Sequence, residues 1–278
     1  MDIFKSKEEL QNHLATFALG KTIGFTPTMG ALHQGHLHLI EQSNKECNIS
    51  ICSIFVNPTQ FNNPTDLENY PNTLKADLEK LESINCDIVY TPSVDDLYEK
   101  GEKAKSFDFG SLATGLEGEF RPGHFDGMAT IVEKFFNIIQ PTIAFFGQKD
   151  LQQLLIVKTL VKQMKSPIII TGIDTVREES GLAKSSRNKL LTESAKQEAI
   201  IIYNCLNYCK NNKEKGITVL REYMQEQFKK QGNFTLEYVD IVGLKTMQSI
   251  DKWEGENKNA VCIAASHSGV RLIDNIIL

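Results

Sequence analysis

The ten residues at positions 27–36, PTMGALHQGH, constrain the fold of this chain more than any other segment. They follow residues 22–26, whose apolar character is typical of a short buried strand. They precede Leu37 and Ile40, which are spaced to lie on one face of an amphipathic helix. The segment therefore predicts a strand, a glycine-containing turn and a helix in immediate succession.

The predicted beginning of this helix is suited to binding the phosphates of a nucleotide. Backbone N–H groups at a helix N-terminus point toward an anion, and the helix dipole favours negative charge there. Gly30 and Gly35 let phosphate approach the backbone closely. The imidazoles of His33 and His36 add donors that can follow charge developing on phosphorus. A metal site is the weaker interpretation, because no Cys or carboxylate lies at ligand spacing nearby.

Composition limits the class of protein. A chain of 278 residues, 41% of them hydrophobic, can form one large domain or two smaller ones. The N-terminal sequence MDIFKSKEEL lacks the features of a signal peptide, and no apolar run approaches the roughly twenty residues that span a bilayer, so we expect a cytoplasmic protein and no membrane partner. The six cysteines form no CxxC pair, which favours reduced, buried thiols. The net charge of −5 argues against a nucleic-acid partner.

Strand and helix signals alternate in the first part of the chain. Strands are predicted over residues 22–26, 49–56, 87–91, 142–146 and 167–171. Helices are predicted over residues 36–46, 74–84, 125–139 and 150–164. This alternation is typical of βαβ units and predicts an α/β fold with a Rossmann-like parallel sheet, in which ligands bind at the carboxyl ends of the strands.

The pattern changes near residue 176. An amphipathic helix over residues 195–209 is followed by a second helix, and then by strands. The second helix is predicted over residues 216–230, and the strands over 234–242, 259–265 and 270–277. We therefore expect two domains: residues 1–175 as the Rossmann-like catalytic domain and residues 176–278 as a smaller α+β C-terminal lid domain.

Two further polar segments follow predicted strand ends. Asn57 and Gln60, in VNPTQF, carry amides that suit a substrate with hydroxyl and carboxylate groups, although a simple Asn-Pro turn is the more economical interpretation of that segment alone. In FGQKD, Lys149 can offer its ammonium group to phosphate. Asp150 can cap the following helix or accept from ribose hydroxyls.

A third segment, residues 175–188 (TVREESGLAKSSRN), combines a glycine, hydroxyl groups and cations. Such a loop can close over a triphosphate and supply positive charge where pyrophosphate leaves. A charge run of this kind is more often plain surface. Its place at the predicted domain junction, where a lid would hinge, favours the functional interpretation.

Taken together, six segments resemble the pantoate–β-alanine ligase family of the nucleotidylyltransferase superfamily along nearly the whole chain. They are PTMGALHQGH, FVNPTQF, RPGHFDGMATIV, FFGQKDLQQ, TVREESGLAKSSRN and RLIDN. The resemblance implies a ligase that forms a C–N bond between pantoate and β-alanine, with ATP as a substrate, Mg²⁺, and release of AMP and diphosphate through a pantoyl-adenylate intermediate. It also implies a homodimer.

The resemblance assigns roles to residues of this chain. The implied catalytic residues are His36, His33, Lys149, Ser185 and Arg187. The implied ATP-binding residues are Met29, Gly30, Ala31, Leu32, His33, Gln34, Gly35, His36, Gly147, Gln148, Lys149, Asp150, Val176, Lys184, Ser185, Ser186 and Arg187. Gln60 and Gln153 would hold pantoate, with Gln60 also near β-alanine and Asn57 beside it. No protein ligand of Mg²⁺ is assigned, although Asp77 is a candidate outer contact.

Two alternatives remain at this point. One is another HxGH nucleotidylyltransferase, such as a cytidylyltransferase, although residues 26–28 lack the Phe-Asp pair that usually precedes the motif in those enzymes. The other is a nucleotide-binding regulator without catalysis. The presence of His33, His36, Lys149 and Arg187 together argues against a pure binder.

Overall fold

The computed structural model describes residues 1–17, 20–62, 67–68 and 70–278. The chain forms two compact units. Unit 1 comprises Met1–Phe109, Arg121–Gly147 and Gln153–Ile173, and unit 2 comprises Gly110–Phe120, Gln148–Gln152 and Asp174–Leu278.

Unit 1 contains a parallel sheet of six strands in the order β1-β4-β3-β2-β5-β6. The strands are β1 (Asp2–Phe4), β2 (Ile23–Thr28), β3 (Ile49–Ile54), β4 (Ile88–Tyr90), β5 (Ile143–Gly147) and β6 (Ile169–Ile173). The central strands are rich in apolar and β-branched residues and are largely buried, as expected where helices cover both faces of a parallel sheet.

Helices of unit 1 bury apolar side chains in the core. They are α1 (Lys7–Leu14), α2 (Gln34–Glu46), α3 (Leu74–Ser83), α4 (Val94–Leu97) and α6 (His124–Ile139), and α7 (Leu151–Gln163) contributes its residues from Gln153 onward. Phe25 of β2 forms edge-to-face contacts with Phe135 and Phe136 of α6. On α2 and α3, Ile40 and Leu81 belong to one buried apolar cluster.

The strand order changes direction next to β2. Strands β3 and β4 follow on one side of β2, whereas β5 and β6 lie on its other side. The carboxyl ends of β2 and β5, at Thr28 and Gly147, therefore flank the point where an open α/β sheet binds its ligands.

Unit 2 is built on an antiparallel sheet of three strands in the order β7-β8-β9. The strands are β7 (Phe234–Gly243), β8 (Asn259–His267) and β9 (Val270–Ile277), and the helices are α5 (Glu117–Phe120), α8 (Glu193–Asn211) and α9 (Ile217–Gln231). Thr192 caps α8 by accepting a hydrogen bond from the N–H of Ala195 at 3.2 Å. Leu206, Leu220 and Ile263 lie in the core that the helices share with the sheet.

The predicted fold class is confirmed: a Rossmann-like α/β sheet is accompanied by a smaller α+β part. The short β1, α4 and α5 were not predicted, because segments of three or four residues carry no measurable periodicity. The assignment of residues 1–175 and 176–278 to a catalytic domain and a lid stays a prediction. None of the helices in the described ranges has the length and apolarity that a membrane crossing requires.

Candidate active site

The turn between β2 and α2 has an unusual backbone. Gly30 and Ala31 both have positive φ, at 81° and 50°. Gly30 adopts this conformation without steric cost, whereas for Ala31 it costs about 1–2 kcal/mol. Thr28 supports the turn, since its hydroxyl donates to the carbonyl of Ser53 at 2.7 Å and accepts from the N–H of Gly30 at 3.3 Å.

The carboxylate of Asp77, on α3, binds the same turn. Its Oδ2 accepts from the N–H of Ala31 and its Oδ1 from the N–H of Leu32, both at 2.8 Å. The hydroxyl of Thr73 donates to Oδ2 at 2.9 Å. The ammonium of Lys80 donates to the carbonyl of Leu32 at 2.7 Å and lies 3.7 Å from Oδ1. Asp77 is fully buried, so these bonds and the nearby charge offset the cost of removing a carboxylate from water.

His33 and His36 lie together at the beginning of α2. His33 is the N-cap, and its Nδ1 accepts from the N–H of Gly35 at 3.1 Å. The Nδ1 of His36 accepts from the N–H of His33 at 3.4 Å, and the two ring centroids are 4.0 Å apart. Because both Nδ1 atoms accept, the neutral form of each ring carries its proton on Nε2. Each histidine can therefore present an Nε2–H donor.

Asn57 and Gln60 form one polar network after β3. The Nδ2 of Asn57 donates to Gln60 Oε1 at 3.2 Å and to the carbonyl of Gly127 at 3.0 Å, while Tyr98 donates its hydroxyl to Asn57 Oδ1 at 2.7 Å. Burial raises the pKa of Tyr98, which keeps it a donor. The Nε2 of Gln60 lies 2.8 Å from the sulfur of Met29, so the network reaches the turn that follows β2.

Helix α6 fixes the backbone of this network. His124 Nε2 lies 3.0 Å from the guanidinium of Arg121, which can only donate, so Nδ1 carries the proton and donates to the carbonyl of Gln60 at 3.0 Å. Gly127 allows the close approach, because a Cβ there would lie 2.1 Å from the carbonyl oxygen of Thr59. Gln60 is thus held in two ways: its side chain contacts Asn57 and Met29, and its carbonyl accepts a hydrogen bond from His124.

In unit 2, the segment that contains Lys149 is attached to β9. The side-chain amide of Asn275 donates to the carbonyl of Gln148 at 2.9 Å and to that of Lys149 at 2.7 Å. The ammonium of Lys149 lies 4.0 Å from the carboxylate of Asp150. These contacts fix the main chain of the segment at the start of α7.

The neighbouring residue of β9 holds the loop at 176–187. Arg177 makes two hydrogen bonds to the carboxylate of Asp274, at 2.5 and 3.1 Å, and lies over the ring of Tyr203 at 4.7 Å. Burial raises the pKa of Asp274, and the charge of Arg177 opposes that shift. Asp274 and Asn275 therefore attach two separate segments of the chain to one strand.

The end of this loop is also ordered by hydrogen bonds. The N–H of Lys184 donates to the carbonyl of Val176 at 2.9 Å. The hydroxyl of Ser185 accepts from the N–H of Arg187 at 3.3 Å, as the cap of a short 3₁₀ helix at Ser186–Leu190. Asn188 donates to the carbonyl of Ala183 at 3.0 Å. The loop is thus a compact turn that carries hydroxyl groups and cations.

The residues predicted for the site divide between the two units. Unit 1 holds Met29, Gly30, Ala31, Leu32, His33, Gln34, Gly35, His36, Asn57, Gln60, Gly147 and Gln153. Unit 2 holds Gln148, Lys149, Asp150, Val176, Lys184, Ser185, Ser186 and Arg187. Within unit 1, Met29 contacts Gln60, and Gln60 contacts Asn57. Within unit 2, Lys184 bonds to Val176 and Ser185 bonds to Arg187.

Several supporting residues had no predicted role. Tyr98, His124, Asp274 and Asn275 all bond to segments that the sequence marked as functional. The last three fall within the motifs RPGHFDG and RLIDN, so their location in a motif was the available signal. Asp77, considered only as a contact of the metal, has both oxygens engaged by N–H and O–H donors instead.

The described part of the chain contains no group of three or more His, Cys, Asp or Glu side chains that could hold a metal ion. Magnesium prefers oxygen ligands and keeps several waters, and nucleotide phosphates commonly supply the rest. The residues described here therefore do not form a dedicated magnesium cage.

Residues 2–277 match a protein family described as pantoate-beta-alanine ligase. The chain is 44% identical to a pantothenate synthetase of Flavobacterium psychrophilum over 281 aligned positions that cover 100% of both chains. It is 46% identical to one of Azobacteroides pseudotrichonymphae, with 99% of each chain covered.

Two solved structures are similar to this one. A pantothenate synthetase of Thermus thermophilus has a TM-score of 0.93 and 34% identity, covering 100% of this chain and 99% of that one. A pantoate-beta-alanine ligase of Francisella tularensis, complexed with beta-gamma ATP and beta-alanine, has a TM-score of 0.83 and 35% identity, covering 100% and 97%.

Proposed function

The chain belongs to the pantoate–β-alanine ligase family and catalyses the ATP-dependent ligation of pantoate and β-alanine. We propose that this reaction passes through a pantoyl-adenylate intermediate. The observation that carries the proposal is the pair of imidazoles at the beginning of α2, each with its Nδ1 engaged by a backbone N–H. In that arrangement the proton of each neutral ring is on Nε2, and an Nε2–H group is a donor of the kind that suits a phosphate undergoing substitution.

Activation is required because a carboxylate is a poor electrophile toward an amine. In the first half-reaction, a carboxylate oxygen of pantoate attacks the α-phosphorus of ATP, and the bond to the leaving diphosphate breaks. In the second, the amine of β-alanine attacks the acyl carbon, loses a proton and releases AMP. Positioning of the reactants and stabilisation of developing charge account for most of such catalysis.

In unit 1, we assign His36 and His33 to the phosphates, as donors to the charge that develops during adenylation. Residues 29–36 line the nucleotide in this proposal, together with Gly147. Gln60 and Gln153 hold pantoate, and Gln60 also lies near β-alanine. Asn57 was predicted to bind substrate beside Gln60, and its bonds to Gln60, Gly127 and Tyr98 support a contribution through the placement of Gln60.

In unit 2, we assign Lys149 to the phosphates and Asp150 to the ribose. Gln148 completes that segment. Val176 meets the adenine through its backbone, and the loop residues Lys184, Ser185, Ser186 and Arg187 bind the phosphates. The attachment of both segments to β9, through Asn275 and Asp274, supports a fixed arrangement of these cations. Closure of unit 2 as a lid over the nucleotide stays part of the proposal.

Three further features are proposed without a catalytic step of their own. Mg²⁺ enters only as part of the nucleotide substrate, bound by phosphate oxygens and water.

A homodimer is expected, and light scattering on the purified protein measures its molar mass in solution. A cytoplasmic location is supported by the six free cysteines, since thiols persist in a reducing compartment.

Exchange of labelled diphosphate into ATP, with pantoate present and β-alanine left out, tests the proposal. Adenylation is reversible and needs no amine, so we expect exchange that depends on pantoate. Adding β-alanine should then produce AMP and pantothenate.

Each other outcome identifies an alternative. Pantothenate formation without exchange would exclude the adenylate as a free-standing step. ATP binding without either activity would favour a nucleotide-binding regulator. Transfer of a nucleotide from CTP to a phosphorylated alcohol would identify a cytidylyltransferase instead.

A further inference from the structure

The N–H groups of Ala31 and Leu32 converge on one point and form a site for an anion. Successive backbone N–H groups in such a turn make a concave nest that binds negative charge. Here the nest already holds an anion of the protein, because the two oxygens of Asp77 accept these N–H groups at 2.8 Å each. Asp77 therefore fills the nest in this turn. Any phosphate that binds main-chain N–H groups of the segment has to use N–H groups after Leu32.

The structure explains why a carboxylate is needed at this position. Ala31 and Leu32 are each only 1% exposed, so their N–H groups would be buried without partners if Asp77 were absent. An amide in the place of Asp77 could accept one of these N–H groups, but its NH₂ would face the other. The left-handed conformation of Ala31 also has to be held against its intrinsic cost.

Helix α3 fixes both polar groups of Leu32, the residue immediately before His33. Asp77 accepts a hydrogen bond from the N–H of Leu32, and the ammonium of Lys80 donates one to the carbonyl oxygen of Leu32 at 2.7 Å. His33 then caps α2, and its N–H donates to His36. The place where α2 begins, and with it the placement of both imidazoles, thus depends on α3.

We propose that Asp77 is a positioning residue for adenylation, acting through His33 and His36 by filling the backbone nest that precedes them. The inference rests on the proposed function for its kinetic consequence, although the contact itself does not. Asp77 touches neither substrate nor reacting atoms in this assignment. Its contribution is to keep the two imidazoles in register with the phosphates of ATP.

The test compares Asp77→Asn with Asp87→Asn. Asp87 also accepts a backbone N–H and a hydroxyl, both from Ser50, at 2.8 and 3.0 Å, but it does not bond to the histidine-bearing segment. Diphosphate exchange is measured for each, with the KM for ATP and for pantoate determined separately, and urea unfolding gives the stability of each protein.

For Asp77→Asn we expect the maximal exchange rate to fall by about tenfold or more, since small displacements of catalytic groups have effects of this size. The KM for ATP should rise, and the KM for pantoate should change less than twofold. Asp87→Asn should retain the wild-type constants. Thr73→Val removes only the hydroxyl bond to Asp77 and should change the exchange rate and the KM for ATP in the same directions but by less. It replaces Asp77→Asn in the test if that variant does not fold.

A second measurement needs no turnover. Imidazole ¹⁵N spectra should show altered ring-nitrogen shifts for His33 and His36 in the Asp77 variant, with His38, further along α2, unchanged. Unaltered shifts in a folded variant would overturn the proposal, as would equal kinetic losses in the Asp77 and Asp87 variants. If the shifts change in the Asp77 variant but the wild-type protein itself shows no diphosphate exchange, the contact is established and the proposed function is rejected.

Discussion

Asn275 donates its side-chain amide to the main-chain oxygen of Lys149 at 2.7 Å, and so attaches the residue proposed to bind phosphate to the last strand of the chain. The second proton of the amide reaches the carbonyl of Gln148 at 2.9 Å. Asn275 is buried, so both bonds lie in an environment with little competing water. The strand end RLIDN thus fixes the main chain of a segment that is proposed to bind the nucleotide.

Asn275→Asp should raise the KM for ATP by about tenfold, because a carboxylate cannot donate and would repel both carbonyl oxygens. The KM for pantoate should change much less. Steady-state kinetics with each substrate varied in turn measure the difference. Asn259→Asp is a matched control, since Asn259 is also buried in unit 2 and donates to the carbonyl of Gly255. A similar rise in the control would mean that burying a new charge, and not loss of the Lys149 contact, is responsible.

His36→Ala should lower the rate of diphosphate exchange on the order of a hundredfold or more, the usual cost of removing a donor to developing charge. The appropriate control is His38→Ala, one half-turn further along α2, where the imidazole lies near Glu41 at 3.6 Å. That variant should exchange diphosphate at nearly the wild-type rate. Near-normal turnover by His36→Ala would remove His36 from the mechanism.

Most of the regular structure followed from local patterns, and the supporting contacts did not. The helix at α6 and the strand at β3 were predictable because their residues repeat at helical or extended spacing over at least six positions. By contrast, Asp77 binds the N–H of Ala31 across 46 positions of sequence. The residues around Asp77 in the sequence do not predict which backbone N–H groups its carboxylate accepts.

The same distinction holds for the site. The histidines could be identified as candidates because the role proposed for them depends on their spacing within one turn. Their tautomers, however, depend on which backbone N–H each Nδ1 accepts. The amide of Asn57 could be read as a substrate contact, whereas the folded chain gives it partners on Gln60, Tyr98 and Gly127. Sequence thus indicates which polar groups are present, and packing decides which of them are satisfied internally.

Gln60→Ala and Gln153→Ala should each raise the KM for pantoate much more than the KM for ATP. The assignment places both amides on pantoate, so their loss should weaken its binding with little effect on the nucleotide. Gln163→Ala, at the other end of α7 from Gln153, is the control, because Gln163 donates to the carbonyl of Asp108. Equal effects on the two KM values would reject the assignment.

Asp274→Asn should lower the free energy of unfolding by about 3 kcal/mol, because it leaves the charge of Arg177 without its partner in a mostly buried position. Replacing both residues by apolar ones, Arg177→Met with Asp274→Leu, should cost less than the sum of the single changes Arg177→Met and Asp274→Leu. Urea unfolding of the single and double variants gives the coupling energy. Strict additivity would show that the pair contributes nothing beyond its separate parts.

Alkaline pH should destabilise the protein through two thiols in unit 2. Burial raises the pKa of Cys205 and of Cys209 to about 12. The unfolded chain releases these protons near pH 8.5, so the stabilisation is fully present below that pH and is lost as pH rises toward 12. Between pH 8 and 10.5, each thiol should lower the free energy of unfolding by about 2 kcal/mol.

Urea unfolding under reducing conditions should therefore show a shallower pH dependence of the free energy of unfolding for the double variant Cys205→Ala with Cys209→Ala than for wild type. Cys47→Ala, at a half-buried site, is the control, and parallel curves for all three proteins would contradict the prediction.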